Sequence, residues 1–65
     1  MNEIRAWISE QGYTLLSELV ELDGSWVLHL QSGEVHVPVI LMAGDVEHPQ
    51  RGISAIEALF KALLD

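Results

Sequence analysis

Two glycine-bearing dipeptides, Asp23-Gly24 and Ser32-Gly33, cut the middle of this chain into short runs rich in β-branched and apolar residues. Asp-Gly between such runs is among the strongest hairpin signals, because glycine accepts the positive φ that tight β-turns require. Punctuation of this kind drives the chain toward an antiparallel meander. The spacing predicts strands over about 14–22, 25–31 and 34–42. In the third run Val35, Val37, Val39 and Leu41 alternate with His36, Pro38, Ile40 and Met42. In the second, Trp26, Leu28 and Leu30 alternate with Val27, His29 and Gln31. Period-two alternation sends each set to its own face of the sheet.

Register follows from the turns. With Ser32-Gly33 as a two-residue turn, Leu30 meets Val35, His29 meets His36 and Leu28 meets Val37, so apolar side chains oppose apolar ones. The first hairpin admits two registers. A two-residue Asp23-Gly24 turn sets Leu15 and Leu19 on Trp26's face and Glu18 beside His29. A bulged turn sets Leu16, Val20 and Leu22 on that face instead. Pro38 has no N–H to donate to a ladder, which places the third strand at an edge.

Helical patterns flank the meander. Ile4, Trp7 and Ile8 fall at helical spacing and predict a helix over about 3–11, with Asn2 as its cap and Gly12 in the left-handed closing position. Residues 43–52 are broken by glycine and proline and read as a loop. Ser54-Ala55-Ile56-Glu57 matches a capping box that opens a second helix. Ile53, Ile56, Phe60 and Leu63, widened by Leu59 and Leu64, form its apolar stripe. Both helices are expected to cover the Trp26/Val37 face. The expected fold is therefore a single α+β domain over residues 1–65, ordered α-β-β-β-α.

That order resembles the double-stranded-RNA-binding domains. Such domains carry a lysine-rich start to their second helix, where this chain has Arg51-Gly52-Ile53-Ser54-Ala55 and one basic residue. The resemblance thus implies a topology without the chemistry that grips phosphates.

Composition excludes several function classes. Net charge is −7, with three basic residues in all and none between Arg5 and Arg51. A nucleic-acid binder neutralises phosphates with clustered basic side chains, so direct binding of nucleic acid or an anionic membrane is not expected. No cysteine is present, which removes disulfides, zinc-thiolate sites and thiol nucleophiles. The longest apolar run, Val37 to Ala43, is far short of the roughly 20 residues of a membrane helix. The start, Met1-Asn2-Glu3-Ile4-Arg5, lacks the basic-then-apolar pattern of a signal peptide, and a cytoplasmic location is expected.

Three features are candidates for function. His29 and His36, set opposite each other, are the candidate metal ligands or pH-sensing pair, although a metal site wants three or four convergent ligands. The 43–52 loop mixes Asp45, Glu47, His48 and Arg51 but offers no nucleophile with a partnered base, so no catalytic residue and no cofactor are expected. The third feature is the second face of the sheet, where Val27, Pro38, Ile40 and Met42 stay bare if both helices cover the other face. Large exposed apolar patches mark interaction surfaces, and the third-strand edge offers β-addition as another route. The leading expectation is a non-enzymatic interaction module that forms a homodimer or docks on a protein partner. An alternative is an acidic inhibitor that occupies a partner's nucleic-acid groove through Glu18, Glu21, Asp23, Asp45 and Glu47. A second alternative is a metal- or pH-responsive regulator built on His29 and His36.

Overall fold

A computed structural model describes residues 1–64, and the element order is helix, three antiparallel strands, then two helices. Helix α1 (Asn2–Glu10) is followed by β1 (Thr14–Val20), β2 (Trp26–Ser32) and β3 (Val35–Leu41), then α2 (Ala43–Glu47) and α3 (Pro49–Leu64). The strands form one sheet in the order β1-β2-β3, so β3 with its Pro38 is an edge, as expected. The fold is α+β in two layers. Ile4 and Ile8 of α1, together with Ile56 and Phe60 of α3, are buried against Leu28, Leu30, Val39 and Leu41. Both long helices therefore cover the Trp26/Val37 face. Tyr13, at the exit from α1, stacks on Phe60 with ring centroids 4.3 Å apart, and Trp7 meets Tyr13 edge-on at 6.0 Å.

Four local expectations need correction. Asn2 does not cap α1. The helix begins one residue earlier, and the Asn2 carboxamide oxygen accepts a hydrogen bond from the Arg5 guanidinium at 3.1 Å instead.

The second hairpin turns at Gly33-Glu34, not Ser32-Gly33, so Ser32 pairs with Val35, Gln31 with His36, His29 with Pro38 and Leu28 with Val39. Gly33 sits at the first turn position with φ +60°, which leaves Glu34 at negative φ. The alternative would force Ser32 to positive φ, a cost glycine avoids.

The first hairpin, whose register was open, takes the bulged-turn alternative beside the loop and leaves it beyond Leu16. Leu22, Asp23 and Gly24 form a three-residue loop. Gly24 at φ +89° closes it, and the Glu21 N–H donates to the Ser25 carbonyl at 2.8 Å. The Asp23 carboxylate braces the loop, accepting from the Ser25 N–H at 2.9 Å and its hydroxyl at 2.6 Å. Val20 then pairs with Trp26 and Glu18 with Leu28, until a bulge at Leu16 shifts the ladder and pairs Leu15 with Leu30. Ser17, not Glu18, lies beside His29.

The expected 43–52 loop is helical, and the capping box at Ser54 is not a helix start. Asp45 accepts from the Met42 N–H at 3.2 Å and opens α2. Pro49 then occupies the first position of α3, where its missing N–H has no intrahelical role. Ser54 lies inside α3 and is exposed.

Glu18 is turned toward the helices, where the Arg5 guanidinium grips it with two hydrogen bonds of 2.9 and 2.6 Å. Arg5 also lies over the Trp26 ring, 5.6 Å from its centroid. The hydrogen bond from Arg5 holds the Glu18 carboxyl below its ordinary value of 4.5, and the Ser25 hydroxyl and N–H hold Asp23 below 3.8. A lowered folded-state value stabilises the fold above the ordinary value and is lost as pH falls through the lowered one. Urea midpoints should therefore decline below about pH 4.5. The Arg5→Gln variant should show a shallower decline, since only the Asp23 contribution remains; an unchanged acid profile would show that the Arg5 pair adds nothing.

Candidate functional site

The meander's second face carries no helix, and the two registers define what lies on it. Leu19, Val27 and Ile40 form one row across all three strands. Ser17, His29 and Pro38 form the next, and Thr14, Gln31 and His36 the row beyond the bulge. Met42 continues the extended backbone past β3 at φ −71°, ψ 160°, and adds a fourth apolar side chain two residues from Ile40. Leu19, Ile40 and Met42 are 59%, 65% and 58% exposed. Val27, in the central strand, is half-buried and Pro38 is exposed. All four expected interaction residues thus share this face, and Leu19 joins them. Parity alone left Leu19 undecided; the three-residue first loop assigns it.

The face has an apolar half and a polar half. At the polar end the His29 and His36 rings lie 5.7 Å apart at 67°, edge to face. They are diagonal neighbours rather than directly opposed, because the β2–β3 register is displaced by two residues from the expected one. No group of three or more His, Asp or Glu side chains that could hold a metal ion forms among the described residues. The structure therefore brings the two imidazoles together but adds no third ligand, and it turns Glu18 away from them.

The five acidic candidates do not form one surface. Glu18 is bound to Arg5, Asp23 to Ser25, and Asp45 to the Met42 N–H, with Arg51 3.7 Å away. Glu21 and Glu47 are exposed, one in the first hairpin and the other on α2. His48 separates α2 from α3, and Arg51 lies in the first turn of α3. No cavity forms among the described residues, and none of their helices is long and apolar enough to cross a membrane. No family model, curated protein or solved structure matches this chain.

Proposed function

We propose that this chain is a non-enzymatic protein-interaction module whose binding surface is the helix-free face of the sheet. One observation carries the reading: α1 and α3 pack on the same side, so Leu19, Val27, Pro38, Ile40 and Met42 form an apolar band that no described element covers. Patches of this kind are contact surfaces more often than idle ones. The energetics favour the same reading. Among the described residues, eight large apolar side chains are buried in the core and eight are exposed. Fully burying one such side chain is worth about 1.5–3 kcal/mol, while a folded domain retains only about 0.05–0.15 kcal/mol per residue. Leu19, Ile40 and Met42 are the members of the exposed set on the helix-free face, and covering the exposed part of each contributes about 1–2 kcal/mol before the cost of association. The acidic-mimic reading draws less support, because three of its five carboxylates already serve contacts within the chain.

Ile40→Glu tests the proposal. The side chain is mostly in water, so the fold should persist, while association through this face should fall by at least about tenfold. Sedimentation at low and high salt, with affinity capture of partners by wild type and variant, reads both effects. Apolar contact predicts little salt dependence. Wild type and Ile40→Glu that associate identically would overturn the proposal. So would binding that weakens steeply with salt and responds to Glu21 or Glu47, which would replace it with the acidic mimic.

A further inference from the structure

We infer that the occupant of the helix-free face is a second copy of this chain, packed sheet to sheet, with His29 and His36 enclosed so that acidification opens the contact. This rests on the interaction-module reading and adds the partner and its control. Charge favours a second copy. The three central rows of the face hold no Asp, Glu, Lys or Arg, although the chain as a whole carries −7; Glu21, paired with Ser25, enters only at the hairpin end, in the row of Met42. A basic partner would be drawn to the acids of α1, the first hairpin and α2, none of which lies in those rows. A second copy is itself acidic, and its contact is favourable only where like charges are absent, as in those three rows. The size of the face limits the strength of the contact. Three seven-residue strands span about 14 by 23 Å. That is small beside the ~800 Å² per partner of a standard interface, so the dimer is weak and reversible.

Geometry places the histidines. His29 is the middle residue of the middle strand. Any two-fold axis lying between two stacked sheets and passing through the face's centre sets the two copies' His29 side chains against each other. His36 is 5.7 Å away on each copy, so four imidazoles share the contact. Ser17 and Pro38 flank His29, and Gln31 flanks His36; none bears a charge to balance a proton. Glu18 faces Arg5 on the other side, and Glu34, two residues before His36, stands exposed in the turn. Imidazole is the side chain that ordinarily gains its proton between pH 8 and 5. Enclosure favours its neutral form, so the dimer is favoured above that range and weakens as pH falls. The sign is diagnostic: protonation brings an acidic chain closer to neutrality, which by itself would strengthen association.

Sedimentation equilibrium of the full chain, from about 10 μM to about 1 mM and near pH 7.5 and near pH 5.5, tests the inference. The expected result is a dimer near pH 7.5 whose dissociation constant rises about tenfold or more on acidification. Amide NMR spectra should show the fold intact at both values. The double variant His29→Gln, His36→Gln should dimerise at both, and Ile40→Glu at neither. A wild-type dimer equally tight at both pH values would overturn the role of the histidines. A wild-type monomer throughout would overturn the second copy as occupant. The interaction-module reading falls with it only if Ile40→Glu also leaves capture of foreign partners unchanged.

Discussion

Phe60→Ala should leave this chain largely unfolded at room temperature. Phe60 is 1% exposed and fills the space between α3 and the sheet, with Tyr13 stacked on its ring at 4.3 Å. Deleting a buried aromatic ring costs about 3–5 kcal/mol, the lost transfer free energy plus the cavity left behind. At about 0.05–0.15 kcal/mol per residue, a chain of this length has a total of the same order. No disulfide restrains the unfolded state, because no cysteine is present. Tyr13 bridges Trp7 and Phe60, so the cavity would also free the aromatic contact that fixes the exit from α1. Far-ultraviolet circular dichroism and a urea titration would read the loss. Phe60→Leu keeps most of the volume and should lose much less. A Phe60→Ala protein with a near-native urea midpoint would mean that the ring is not a principal support of the core.

The faces of β2 and β3 were legible in the sequence because they depend only on parity. Moving the second turn from Ser32-Gly33 to Gly33-Glu34 shifts the register by two residues, and a shift of two keeps every side chain on its own face. Leu28 and Leu30 therefore stay in the core, and Val27, Pro38 and Ile40 stay outside. The apolar stripes Ile4/Ile8 and Ile56/Phe60 decide which face is covered. Contacts that depend on register were not legible. His29 meets Pro38, and His36 reaches it only diagonally. In the first hairpin, the bulge at Leu16 makes each alternative register hold over part of the strand: Val20 lies on Trp26's face near the loop, and Leu15 at the far end. Glu18 offered no local sign of its partner, because Arg5 lies 13 residues away on another element. Residues 43–52 misled because proline and glycine look like breakers wherever they fall. Pro49 begins a helix rather than ending one, and Gly52 answers to a tertiary contact that no local pattern reveals.

Gly52→Ala puts helix propensity and packing in direct opposition, and packing should win. In an exposed helix interior, alanine in place of glycine stabilises by about 0.8–1 kcal/mol. Gly52 is buried inside α3, and a Cβ there would lie 2.9 Å from the Asp45 carbonyl oxygen and 2.9 Å from Ile4 Cδ1. The isoleucine tip can shift, but the carbonyl belongs to the backbone of α2. Relief would have to separate α2 from α3. Overpacking of this kind typically costs about 1–3 kcal/mol, so a net loss of about 1 kcal/mol is expected for alanine. Valine, larger and β-branched, should lose several times that. Gly44→Ala is the control. Its Cβ would meet only the mobile end of Arg51, no closer than 3.6 Å, so the same change in α2 should be neutral or stabilising. Urea midpoints that fall for Gly52→Ala but not for Gly44→Ala would locate the constraint in the α2–α3 contact. Because Met42 leads directly into α2, the same loss should disturb the nearby end of the apolar band. Association through the helix-free face should then weaken in Gly52→Ala, although residue 52 does not lie on it. A stabilised Gly52→Ala protein would mean instead that the two helices separate at little cost and that Met42 is not held in place by them.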